Sequence, residues 1–136
     1  MVEMDCIMLR KIFSKRIDQI IKKYSKRGLR IEEEANFFGI ESHGIMQIRG
    51  NGILLLTDTD LVFGMFRPAQ DCVIPLAEIK KIELAESHLT KTVFRSLLKV
   101  YFTNKEEQLD SVAWRVLNPS AWKDLVEKCI KNGDKV

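Results

Sequence analysis

Between residues 35 and 114 the apolar side chains recur with a period of two, in short runs separated by turn residues, and no other feature limits the possible folds as strongly. Such runs at roughly 8–12-residue spacing are the pattern of an all-β sandwich or barrel. Residues 35–38 follow the charged Glu32–Glu34 stretch and read as an edge strand; residues 44–49 read as a short strand. Gly50-Asn51-Gly52 then predicts a hairpin turn, because such turns need positive φ angles. The return run 53–57 is uninterruptedly apolar, which predicts burial on both faces. Strands are also expected at 61–66, 72–74 (closed by Pro75), 79–84, 97–102 and 109–114, the last two joined around Asn104–Glu107. A polar connection is expected from 86 to 95. Beside the edge candidate at 35–38, the total is about seven strands.

A helix is expected on each side of this β-rich body. From Met8 to Arg27, Leu9, Ile12, Phe13, Ile17, Ile20, Ile21 and Tyr24 recur at steps of three and four and share one face, with lysines opposite; Gly28 is a natural C′ stop. At the other end, Asn118 can cap a helix over 118–132 and Pro119 suits its first position. Trp122, Leu125, Val126, Cys129 and Ile130 form its single apolar stripe, and Gly133 ends it. A one-faced helix must cover something, and the strands are the available partner, so this helix is read as a plug over an open end of the bent sheet. The expected organisation is therefore a mainly β domain over residues 31–136, preceded by a basic amphipathic helix over residues 1–30.

A chain of 136 residues can form one independent core. Cys6, Cys72 and Cys129 are odd in number, widely spaced and without a CxxC pair, which points to thiols in a reducing compartment. Without a signal-like N-terminus or a long apolar run, the expectation is a cytoplasmic protein, with peripheral membrane contact as the variant. Charge is unevenly divided. Residues 1–30 hold nine Lys/Arg against Glu3, Asp5 and Asp18, a net +6, whereas the remainder holds 13 against 16, a net −3.

The strand-and-turn pattern of Gly52 to Phe63 and of Val73 to Glu83 resembles the GRAM-type and bacterial-type branches of the pleckstrin-homology (PH-like) superfamily. The likeness extends over residues 44 to 132 and includes the closing helix with Trp122. It implies two nearly orthogonal antiparallel sheets closed at one end by a helix. It also implies binding of phosphoinositides, peptides or proteins in place of catalysis. The chain departs from phosphoinositide-binding members at the loop between the first two strands, read here as Arg49–Gly52, which has one cation. A multiply charged headgroup needs several charge-assisted bonds, so that mode is not expected here.

Other constellations have simpler readings. Gly50-x-Gly52 opens no helix and is not a phosphate loop. Glu41-x-His43 and Glu86-x-His88 have metal-compatible spacing but read as exposed loop or strand ends. Asp58, Asp60 and Asp71 read as turn residues. No catalytic residue, metal or cofactor is expected. The candidate contact residues are Lys11, Lys15, Arg16, Lys22, Lys23, Lys26 and Arg27 on the first helix, with a weaker basic patch at Lys91, Arg95 and Lys99. A basic amphipathic helix can lie on an anionic membrane; equally, its apolar face can pack on the β-domain or on a second copy. Nucleic acid is not expected, because no aromatic residues interleave the cations. The function expected is binding of a protein partner or an anionic membrane surface, the alternative being a self-associating domain that uses the helix or an edge strand near Val73.

Overall fold

The computed structural model describes residues 11–89 and 91–133. The elements run α1 (Ser14–Tyr24), β1 (Ile31–Ile40), β2 (Gly50–Leu56), β3 (Asp60–Met65), β4 (Gln70–Pro75), β5 (Ile79–His88), β6 (Lys91–Thr103), β7 (Leu109–Arg115) and α2 (Pro119–Gly133). The seven strands make one antiparallel sheet in the order β4-β3-β2-β1-β7-β6-β5, with β4 and β5 as its edges.

That sheet is bent over on itself. Phe63 of β3 and Trp114 of β7 have ring centroids 6.0 Å apart, although β2 and β1 lie between their strands. In a flat sheet, strands three places apart are about 14 Å from one another. The bend falls in β1, where the register shifts between Phe37 and Gly39 and Gly39 takes φ 107°. An extra residue there turns the strand, and glycine accepts the positive φ. The main core then draws Leu54, Leu56 and Ile74 from one half of the sheet and Ile82, Leu98, Val100 and Val112 from the other.

Several sequence expectations hold and others are corrected. Seven strands and a mainly β class are observed, with a helix at each end. Residues 35–38 do not form an edge: they belong to β1, a central strand that also takes up Glu32–Glu34. Gly50-Asn51-Gly52 is not a hairpin turn but the start of β2, paired with Phe37, Asn36 and Ala35. Its glycine serves close approach, since a Cβ on Gly52 would come within 2.4 Å of the Gly64 carbonyl and the Phe63 ring. Residues 44–49, read as a strand, are the β1–β2 loop. The polar connection at 86–95 is corrected too: β5 continues to His88 and β6 begins at Lys91. The hairpin at Asn104–Glu107 is as expected, with the Asn104 amide donating to the Gln108 carbonyl at 2.9 Å.

The closing helix also agrees. The Ala121 amide donates to Asn118 Oδ1 at 3.1 Å, which caps α2 as predicted. Trp122, Val126 and Cys129 are buried in the main core, with Leu125 and Ile130 packed against it. At the other end, residues 8–10 of the expected first helix lie outside the described residues. The expected continuous helix is broken at Phe13, which takes the non-helical N-cap position; from Ser14 the α-helix runs to Tyr24 and tightens into a 3-10 turn over Ser25–Arg27, after which Gly28 takes φ 82°.

The two-sided burial of residues 53–57 has a definite cause. Leu54 and Leu56 face the main core, while Ile53 and Leu55 join Val62 and Phe66 in a second cluster under Ile17, Ile20 and Tyr24 of α1. Ile20 is fully enclosed, and a Cβ on Gly64 would come within 2.3 Å of it. Helix α1 is therefore seated on the outer face of β2 and β3.

Candidate functional site

The basic helix and the acidic body meet through a set of ion pairs. Asp71, at the start of β4, accepts from Arg16 at 2.7 Å, Lys23 at 3.0 Å and the Tyr24 hydroxyl at 2.7 Å. Arg16 also donates to the Met65 carbonyl at 3.0 Å. At the opposite end of the helix, Arg27 pairs with Asp60 at 2.9 Å and Arg30 with Asp58 at 2.6 Å. Burial works to raise the Asp71 carboxyl, but the Tyr24, Arg16 and Lys23 bonds outweigh it and hold the group below its ordinary value. Asp58, Asp60 and Asp71 thus act as receptors for the N-terminal segment. The β2–β3 turn itself is organised by Thr57, whose hydroxyl accepts from the Asp60 amide at 3.0 Å. Sequence reasoning missed these partnerships, although the split between a +6 segment and a −3 remainder was their signal.

The candidate contact residues therefore separate. Arg16, Lys23 and Arg27 are engaged by carboxylates of the body, while Lys11, Lys15, Lys22 and Lys26 are exposed. Phe13 stacks on Phe66 at 4.7 Å, which places Lys11 and Lys15 beside the β3–β4 turn; Lys26 lies toward the β2–β3 turn. The weaker patch is on β6, where Lys99 stands 5.2 Å from the Tyr101 ring; the side chains of Lys91 and Arg95 lie outside the description. Lys81 stands over the same ring, and the Tyr101 hydroxyl donates to Glu83 at 2.7 Å.

The β1–β2 loop carries three exposed large apolar residues. Met46 is 90% exposed, and Ile45 and Ile48 are each 57% exposed. Exposure of this kind on consecutive large apolar residues marks interaction surfaces. The loop is held in place despite its exposed tip. Gln47 accepts from the Ile40 amide at 2.7 Å and donates to the Ile40 and Gly44 carbonyls. At the loop's start, the Ser42 amide and hydroxyl donate to Asp110 at 3.0 and 2.5 Å. Burial raises the Asp110 carboxyl, and the bonds from Ser42, Ser111 and Asn104 bring it below its usual value. Arg49 closes the loop half-buried, with Nε and one Nη shielded from water, so it presents no charge at the tip.

Beneath this loop lies a cavity of about 300 Å³ at the end of the sandwich not covered by α2. Its apolar wall is formed by Phe37, Ile40, Ile48, Phe63, Met65 and Cys72, and its polar members are His43, Gln47, Gln70 and Asp71. Across it, loop residues Gln47 and Ile48 face Gln70 and Asp71 of β4. Because Arg16 bonds Asp71, the loop tip, the β3–β4 turn with exposed Arg67, and the first turns of α1 share one end of the molecule.

The two histidines have different surroundings. Among the described residues, no three His, Cys, Asp or Glu side chains are placed to hold a metal ion. His43 is exposed, but His88 is buried, which corrects its reading as an exposed strand end. Its Nε2 lies 2.8 Å from the Gly39 carbonyl at the bend. Burial lowers its pKa from 6.5, helped by Lys99 and Arg49 and opposed by the Gly39 bond and Glu41. Below pH 6.5 the unfolded chain gains a proton that the folded chain does not, so stability falls as pH drops through that range. Asp71 and Asp110 are displaced downward; their contribution is complete above pH 3.8 and is lost as pH falls through their lower folded values. Urea midpoints across this range are expected to decline in two stages, and His88→Gln is expected to remove the upper one.

No family model matches the sequence, and no curated protein does. Solved structures do match. The C-terminal domain of an unknown protein from Leishmania infantum superposes with TM-score 0.57 at 16% identity, over 86% of this chain and 97% of that one. The Vps36 N-terminal PH domain gives 0.56 at 14% identity, over 79% and 82% respectively. The fold is PH-like. The DH/PH domains of PDZ-RhoGEF, solved in complex with activated RhoA, give 0.57 at 12% identity; there 90% of this chain covers 38% of the other. These PH-like structures share the architecture and do not single out the GRAM-type branch. Among the described residues, no helix is long and apolar enough to cross a membrane.

Proposed function

We propose that this chain is a non-enzymatic PH-like binding module that attaches peripherally to an anionic membrane surface. One observation carries the reading: Met46, Ile45 and Ile48 project at the same end of the molecule as Lys11, Lys15 and Arg67. Full burial of an apolar side chain of this size contributes about 1.5–3 kcal/mol, and each cation near an anionic surface adds about 1 kcal/mol. In this reading the N-terminal segment of residues 1–30 and the β-domain of residues 31–136 act as one unit. Lys22 and Lys26 face away along the helix, and the Lys91, Arg95 and Lys99 patch plays no part.

Sedimentation with vesicles tests the proposal. The chain is expected to co-sediment with phosphatidylcholine/phosphatidylserine vesicles and not with pure phosphatidylcholine, with binding weakened by salt. Met46→Asp/Ile48→Asp is expected to weaken binding more than a hundredfold, given about 3 kcal/mol or more of lost burial. Retention of binding in that variant would sink the reading.

A protein partner is the second reading, favoured by the unpaired edges. Val73 on β4 and Leu84 on β5 are 38% and 42% exposed on the two terminal strands, where a second copy can pair. Light scattering of the full chain that gives a monomer mass at high concentration removes self-association.

A further inference from the structure

We infer that the cavity beneath the β1–β2 loop takes one hydrocarbon chain of a membrane lipid. The inference rests on the membrane reading above and adds the ligand class of the same end of the molecule.

The lining excludes the alternatives. No lysine or arginine lines the cavity, and its one carboxylate, Asp71, is already ion-paired with Arg16 and Lys23, so the lining offers an anionic headgroup no free cation. Asp71 already accepts from three donors, and the Gln47 amide is fully used in holding the loop. The other polar lining residues, His43 and Gln70, are exposed to solvent, and the buried lining of Phe37, Phe63 and Met65 is apolar. Cys72 adds to the apolar wall, because burial, with Asp110 and Asp71 nearby, pushes its thiol up to about 12 and keeps it neutral.

Size and continuity identify the occupant. An apolar cavity of about 150 Å³ holds a benzene-sized body, so 300 Å³ suits a chain of roughly ten to twelve carbons. Ile48 lines the cavity and is also 57% exposed, joining the interior to Ile45 and Met46 at the tip. With that tip in the outer part of a bilayer, an acyl chain can reach the cavity without crossing water.

Trp114 reports on entry, since its ring lies 6.0 Å from that of Phe63 in the cavity wall. In full-length Trp122→Phe protein, Trp114 is the remaining tryptophan. Anionic vesicles containing chain-brominated phosphatidylcholine are expected to quench its emission in proportion to the brominated fraction. Cys72→Phe and Ile40→Phe fill the cavity from two different strands. Each, once shown by circular dichroism to be folded, is expected to lose the quenching while still sedimenting with the vesicles. If the parent protein sediments without quenching, the inference fails and the membrane reading stands. If folded filled variants are quenched like the parent, the inference also fails. Absence of sedimentation overturns both.

Discussion

Replacing Trp122 by alanine is expected to cost about 3–5 kcal/mol, the largest loss from any single truncation in α2. The indole is buried in the main core, and its Nε1 donates to a Glu33 carboxylate oxygen on β1. Alanine leaves a cavity where the helix meets the sheet and deprives Glu33 of that donor. For a domain of this size the melting temperature is expected to fall by about 10–20 °C. Trp122→Phe should retain much of the packing while losing the hydrogen bond, so its deficit is expected to be smaller. A loss below about 1 kcal/mol for the alanine variant would mean that α2 does not close the core.

The second large effect concerns α1. Ile20→Ala is expected to destabilise the whole domain by about 2–5 kcal/mol, because Ile20 is fully buried against Ile53, Leu55 and Val62. Gly64 provides an internal check. A methyl group there collides with Ile20, so Gly64→Ala alone should cost about 1–3 kcal/mol by overpacking. Once Ile20 is alanine, the same substitution has room and its cost should drop. Urea unfolding of the two single variants and the double variant measures this coupling. Additive losses would place α1 elsewhere than on β2 and β3.

These two helices were legible to different degrees. The cap of α2 was readable because Asn118, Pro119 and the Trp122 stripe are local signals that agree with one another. The periodicity of α1 was equally plain, yet a single amphipathic face does not reveal whether lipid, a partner or its own sheet covers it. The decisive clue lay in residues 53–57, whose two-sided burial requires a second covering element. Gly50-Asn51-Gly52 misled because Gly52 permits the close approach of β3 and makes no turn. That error displaced the first loop: residues 44–49 alternate enough to resemble a strand, whereas Gln47 folds them into a loop through hydrogen bonds that the sequence does not announce. The cavity was not legible, since it joins Phe37 and Ile40 of β1 and the loop residues Gln47 and Ile48 to the paired Phe63 and Cys72 of β3 and β4. His88 was misread for a related reason, because its partner Gly39 lies 49 residues away.

The division of labour between a docked helix and a contacting loop is most directly tested by hydrogen exchange on the full chain, with and without anionic vesicles. The amides of Ile17 to Tyr24 are expected to be protected in the free protein and unchanged by vesicles, while those of Gly44 to Ile48 become slower. Fast exchange of α1 in the free protein, or vesicle protection confined to α1, would contradict the account.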